Sequence, residues 1–401
     1  MIALEDCLAI NPEYAALPFY SSALHHPRSL LLHVCHLGAS VNLVKSTFQA
    51  YPDAINLLLP EYECCTALYA ACSANFPCLE TIKLLLAAGD LALLSTANSK
   101  GYTALLGILQ KPDASLDIVK LFYEWDKHLF RRRTSCGFTA LHVACAYSVG
   151  NRVLEFIIAK VPDTLDVGCQ ALGHTPLHVA LSCQVVSEDA VTLLAEKSPQ
   201  MILKRSKHNG MSPLCMACCS KAASPEVIEI LVANYPCTTL KLFDLVNITP
   251  ATINTLFDCL NYNCLITTLS VTNCVLSEKV SLAFFQCLTK NDTFIMLQCD
   301  FTCITWTDRV FACFERCFAV NTTLSTFRFS VSVLQPRSPA MLECLILNPR
   351  LDSLDTLRFW FGDEFASFIT VAMHTCYNLN VHNVKLNLMG TKGKVEIAKT
   401  S

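Results

Sequence analysis

Three groups of residues in this chain have types and spacings that chemistry could use. Cys215 and Cys218 form a lone CxxC, while Cys64–Cys65 and Cys218–Cys219 are adjacent pairs. His142 and His178 occupy the same place in two similar segments, Thr139-Ala140-Leu141-His142-Val143-Ala144 and Thr175-Pro176-Leu177-His178-Val179-Ala180. Basic residues gather at Arg131, Arg132 and Arg133, and again at Lys204, Arg205, Lys207 and His208. A zinc or redox centre normally needs a second ligand pair at suitable spacing, and the CxxC has none. Cys72, Cys145 and Cys218 each stand four residues after a recurring leucine. A position that recurs in this way is expected to pack, and a free thiol behaves as a small hydrophobe. No metal or cofactor is therefore expected. The chain also lacks a GxGxxG or Walker loop, a GxSxG elbow and an HExxH pair, so no catalytic residue is assigned and a non-enzymatic role is expected.

The elements that carry these residues are set by periodicity. Leu32, Leu68, Leu105, Leu141, Leu177 and Leu214 recur at intervals of 36, 37, 36, 36 and 37 residues. A near-constant period of this size predicts stacked copies of one small unit rather than a single globular core. Gly101, Gly137, Gly173 and Gly210 precede four of these leucines by four residues. Glycine permits the positive φ of a tight turn. Thr or Ser two residues before each of the last five leucines can cap a new helix, and Pro176 and Pro213 fit a first helical position. Amphipathic stretches follow over 79–88, 116–125, 153–161, 190–197 and 225–234, so each unit reads as helix, turn, helix and loop.

Thr175 to Ala180 match T-P-L-H-x-A completely, and Thr139 to Ala144 lack only the proline. This resembles the ankyrin repeat over residues 25–260, as six copies and a terminal half-repeat at Thr249-Pro250-Ala251. The resemblance implies that His142 and His178 support their turns by hydrogen bonding rather than catalysis. It also implies finger-like loops beside a concave helical face.

Beyond Leu260 the period changes. Asn263, Asn291, Asn321, Asn348 and Asn378 recur at 28, 30, 27 and 30 residues. Each is followed by an L-x-x-L-x-L-like segment, such as Ile266-x-x-Leu269-x-Val271 and Phe294-x-x-Leu297-x-Cys299. Helical stretches are expected at 277–289, 307–320, 339–347 and 364–376. Each asparagine is expected to close a helix in the left-handed conformation it tolerates. This alternation resembles leucine-rich repeats of the ribonuclease-inhibitor type over 261–390. The expected fold is thus mainly α: an ankyrin-repeat helical solenoid followed by an α/β leucine-rich-repeat solenoid. An N-terminal segment 1–24 and a tail 391–401 flank it. The glycosylation patterns at Asn247, Asn291 and Asn321 are read as coincidence. So is Gly362-Asp363-Glu364-Phe365, which resembles part of a diguanylate cyclase signature without the surrounding domain.

Composition narrows the function class. Hydrophobic residues make up 53% of 401, charged residues only 16%, and the net charge is −3, which favours neither nucleic acid nor an anionic membrane. No run reaches the roughly 18–20 apolar residues of a spanning helix. Glu5, Asp6 and Glu13 leave the start unlike a secretory signal, so a cytoplasmic or nuclear location is expected. The expected function is a non-catalytic protein–protein interaction scaffold or adaptor. The alternative is a substrate receptor of a ubiquitin ligase or an inhibitor of a partner enzyme. Arg131, Arg132, Arg133, Lys204, Arg205 and Lys207 are the expected partner-binding residues. Counted back from Leu141 and Leu214, Arg131 pairs with Lys204 and Arg132 with Arg205, forming one basic edge for an acidic partner segment.

Overall fold

A computed structural model describes residues 30–57, 65–89, 91–243, 248–263, 265–272, 274–300 and 304–331, with the strand segments 19–20, 27–28, 353–359, 385–390 and 393–397. Asn247, Asn348, Asn378, the expected helices at 339–347 and 364–376, and Gly362 to Phe365 lie outside the described residues. The protein is mainly helical with a parallel sheet. It divides into two compact units, Met1–Leu194 and Ala195–Ser401.

In the first unit a short antiparallel pair, β1 (Phe19–Tyr20) and β2 (Pro27–Arg28), precedes the helices. Helices then come in pairs: Leu30–His36 with Val41–Ala50, Ala67–Ser73 with Leu79–Ala88, Ala104–Ile108 with Leu116–Trp125, and Ala140–Ala146 with Asn151–Lys160. Pro176–Leu181 begins a further pair. Each first helix packs on the first helix of the next pair, from Leu30–His36 through to Pro176–Leu181. The second helices of neighbouring pairs pack likewise. The recurring leucines are the reason. Leu32 is 4% exposed, and Leu68, Leu105, Leu141 and Leu177 are fully buried. Each contributes about 2 kcal/mol by leaving water. Small partners such as Ala71, Ala144 and Ala180, also buried, let the helices approach.

The turns between pairs form as their glycines predict. Gly101, Gly137, Gly173 and Gly210 all take a φ between 68° and 84°. In one turn Thr134 N–H donates to Phe138 O at 2.9 Å and Gly137 N–H to Thr134 O at 2.8 Å. Successive turns also bond to each other: Ser135 N–H donates to Lys100 O at 3.0 Å and Gln170 N–H to Cys136 O at 3.2 Å.

In the second unit, helices Pro213–Cys219 and Pro225–Ala233 precede a seven-stranded sheet ordered β3 to β9. Its strands are β3 (Thr239–Phe243), β4 (Thr268–Thr272), β5 (Met296–Asp300), β6 (Thr326–Val331), β7 (Ser353–Phe359), β8 (Lys385–Gly390) and β9 (Gly393–Ile397). Strands β3 to β8 run parallel. Leu240, Leu269, Leu297, Phe327, Leu354 and Leu386 stand in one register row. The first four of these are at most 1% exposed. Helices Pro250–Tyr262, Glu278–Lys290 and Asp308–Val320 pack in sequence on one another. Between helices and sheet lies an aromatic core in which Phe257 meets Phe284 edge-to-face at 5.7 Å and Phe285 meets Phe314 at 5.4 Å.

Three expectations need correction here. The sheet starts one strand earlier than the asparagine period: Thr239-Leu240-Lys241-Leu242-Phe243 lies where a loop is expected after 225–234, yet it pairs with β4. The tail 391–401 is not a plain tail, because Gly393–Ile397 closes the sheet antiparallel to β8. The asparagines do not enter the left-handed region. Asn263, Asn291 and Asn321 have φ of −92°, −76° and −66° with extended ψ. Their side chains close the helices instead. Asn291 Oδ1 accepts from Thr293 N–H at 3.2 Å and Phe294 N–H at 2.9 Å. Asn321 Oδ1 accepts from Thr323 N–H at 3.1 Å and Leu324 N–H at 2.9 Å. These are side-chain turns of the kind Asn forms with its own downstream backbone.

Candidate functional site

The two histidines that invite a catalytic assignment are structural. Thr139 N–H donates to His142 Nδ1 at 3.2 Å, which makes Nδ1 an acceptor. Nε2 must then carry the ring proton and donates to His174 O in the next turn, 3.0 Å away. His178 repeats the cap, with Thr175 N–H to Nδ1 at 3.3 Å. Both rings are fully buried. Burial, with the charge of Arg133 nearby, pushes His142 down to about 4 from its ordinary 6.5.

This shift has a stability consequence. The folded value lies below the unfolded one, so the unfolded chain takes the proton first as pH falls. The stabilisation is therefore complete above pH 6.5 and is lost progressively down to about pH 4, by up to about 3 kcal/mol. Urea melts from pH 7 to pH 4 should show this slope, and His142→Asn should flatten it. Parallel profiles for both proteins would show that His142 does not titrate in this way.

The cysteines at the recurring position lie in the core. Cys72, Cys145 and Cys218 are at most 2% exposed, and burial raises all three thiols. Cys215 is buried too, its Sγ 3.7 Å from Lys241 O. Asn291 and Asn321, which match a glycosylation pattern, are 3% and 5% exposed with their amides engaged.

The basic residues lie at the ends of short 3-10 helices, Lys127–Arg131 and Pro199–Leu203. All six are exposed. The arginine triplet is tied to its own unit. Arg131 clasps Asp163 through two bonds of 2.7 and 2.8 Å, which holds the Asp163 carboxyl below its usual range. Arg132 donates to Ser95 O at 2.7 Å and Arg133 to Gly168 O at 3.3 Å. Arg205 reaches Gly210 O at 3.3 Å. Among the described residues, Lys204 and Lys207 form no ion pair.

The expected pairing of the clusters is also off by one. Thr134 and Gly137 close their turn three residues apart, whereas Ser206 and Gly210 are four apart. Arg132 and Lys204 both directly follow the 3-10 helix, so Arg132 corresponds to Lys204 and Arg133 to Arg205. The extra residue in the second turn displaced the count from Leu214.

A concave surface absent from the sequence analysis lies in the second unit. Glu229, Val232, Ala233, Asp258, Cys259, Tyr262, Asn263 and Leu265 line a cavity of about 590 Å³ between helices Pro225–Ala233 and Pro250–Tyr262. Its floor is fixed by Asn263, whose Nδ2 donates to Val232 O at 2.8 Å. Burial and then the charges of Glu229 and Asp258 push the Cys259 thiol up to about 11. One signal was available: Tyr262, Lys290 and Val320 each precede a cap asparagine, and a bulky aromatic stands where a solvated side chain would serve.

No family model matches the chain, and no curated protein matches it. Among solved structures, a chain from the complex of the Bdellovibrio bacteriovorus predatory endopeptidase Bd0816 with immunity protein Bd3460 aligns at 20% identity and a TM-score of 0.41, over 51% of this chain and 96% of that one. A likeness at that level does not establish a shared fold. No helix among the described residues is long and apolar enough to cross a membrane.

Proposed function

We propose that the chain is a protein–protein interaction scaffold or adaptor, built from ankyrin repeats and leucine-rich repeats of the ribonuclease-inhibitor type. The observation that carries this reading is the row of successive turns in the first unit. Each is closed by a glycine of positive φ, and neighbours are bonded backbone to backbone through Ser135 to Lys100 and Gln170 to Cys136. Such a row presents exposed side chains at fixed spacing, and repeat architectures use that arrangement for binding. The parallel strands β4, β5 and β6, which follow the helix-closing Asn263, Asn291 and Asn321, support the second resemblance.

Within this reading, Lys204 and Lys207 are the first residues to meet an acidic partner segment, because their charges are uncommitted. Arg131, Arg132, Arg133 and Arg205 are each engaged by an acceptor within their own unit. A substrate receptor of a ubiquitin ligase or an inhibitor of a partner enzyme is the second reading.

Affinity purification of the full chain with mass spectrometry tests the proposal. A stoichiometric protein partner is expected, with capture lost on Lys204→Glu/Lys207→Glu while the circular dichroism spectrum is unchanged. Ligase subunits among the captured proteins would favour the second reading. The absence of any stoichiometric partner would overturn the scaffold, and unchanged capture by the variant would discard the basic site. Arg131→Glu is a poor test, since it places two carboxylates together at Asp163.

A further inference from the structure

The groove between helices Pro225–Ala233 and Pro250–Tyr262 has a chemical character opposite to that of the basic turns. Glu229 and Asp258 are exposed and stand on the two facing helices. Both line the same cavity as Cys259, whose thiol burial and then their charges push up. Among the described residues neither forms an ion pair. Lys290, which shares Cys287 with Asp258 as a neighbour, makes no ion pair with that carboxylate. Tyr262 and Leu265 stand 88% and 62% exposed, which leaves a bulky apolar rim against water. Val232 beneath them is 1% exposed and belongs to the core. The shape is thus a firm apolar floor, an aromatic and aliphatic rim, and two negative charges on its facing walls.

We propose that this groove docks a peptide segment of a protein partner in which an arginine lies next to a bulky apolar residue. The guanidinium fork can address two carboxylates at once and lay its face on an aromatic ring, which an ammonium does less well. The apolar neighbour covers Val232, Ala233 and Leu265. The cavity, about 590 Å³ in volume, holds two or three side chains rather than a whole helix. This inference rests on the interaction reading but not on the lysines of that reading. A partner can therefore be held at either place independently.

Short random peptides displayed on phage and selected on the immobilised full chain provide the test. Enriched peptides are expected to share an arginine beside a large apolar residue. Their synthetic forms should bind Glu229→Gln/Asp258→Asn at least about tenfold more weakly than the parent, and should weaken with added salt. Tyr262→Ala should cost a similar factor without losing the salt dependence. All three substituted residues are exposed, so the fold is retained, and circular dichroism checks this. Enriched peptides without a basic residue would overturn the groove's assignment. So would equal binding to parent and variants, or no enrichment at all. Peptides indifferent to the groove variants but lost on Lys204→Glu/Lys207→Glu would overturn the groove while leaving the scaffold reading intact.

Discussion

Asn321→Asp is expected to destabilise the second unit by about 3 kcal/mol or more, although it changes one amide nitrogen to oxygen. Asn321 is 5% exposed, and its side chain works in two directions. Oδ1 accepts from Thr323 and Leu324 N–H, closing its own turn. Nδ2 donates to Leu288 O at 2.8 Å and Asn291 O at 3.1 Å, tying that turn to the preceding helix end. Aspartate keeps the first function and removes the second. It sets a carboxylate oxygen against two buried carbonyls, which repel it and lose their shorter bonds, leaving Leu288 O with Asn291 N–H at 3.3 Å and Asn291 O with Thr323 Oγ1 at 3.4 Å. Asn321→Ala removes both functions. Urea midpoints for the three proteins should place Asp close to Ala. An aspartate variant as stable as the parent would mean that the Nδ2 bonds contribute nothing, and that the asparagine period marks only a local turn.

Gly137→Ala is expected to cost about 3 kcal/mol, from two separate effects. The φ of +84° places any other residue in the left-handed region, at roughly 1–2 kcal/mol. An added Cβ would also lie 2.5 Å from Gln170 N and 2.8 Å from Gln170 Cγ. Relief of that clash requires the next turn to retreat, which breaks the Gln170 N–H to Cys136 O bond. Gly150→Ala is the control: its φ is −54°, and a Cβ there meets only Pro112 O at 3.8 Å. Thermal melts should separate the two alanines clearly. Equal melting temperatures would mean the turns are not held against each other as described.

Much of this arrangement was legible in the residues because it is local. A glycine four residues before a leucine, with a threonine between, specifies a turn and a helix start through backbone sterics alone. Leu141 and Leu177 repeat because each must enter the same gap. The parts that were not legible depend on distant partners. Arg131 and Asp163 are 32 residues apart, and nothing in either neighbourhood announces the pair. Thr239–Phe243 alternates well enough for a strand, but five residues between two repeat families fit either one until β4 is beside them. The extra residue between Ser206 and Gly210 cannot be seen by counting from Leu214, since the period of 37 does not say where the insertion lies. Asn263, Asn291 and Asn321 end their helices by a different device from the one expected, because an extended backbone with a side-chain turn and a left-handed backbone both favour asparagine. The groove needed two helices to face each other before Glu229 and Asp258 could be read as a pair.

The asparagine row also has a direction. Among the described residues Asn263 donates to Val232 O, Asn291 to Asn261 Oδ1 as well as to Thr293 Oγ1 in its own turn, and Asn321 to Leu288 O and Asn291 O, so the bonds these amides make between modules all reach toward the amino terminus. The modules that these three asparagines close are thereby each written against the predecessor. Shortening this region from its carboxyl end removes donors whose acceptors can turn to water, whereas cutting from the amino end strands a buried amide. Lineages that lengthen or trim such a row can do so at one end far more readily than at the other.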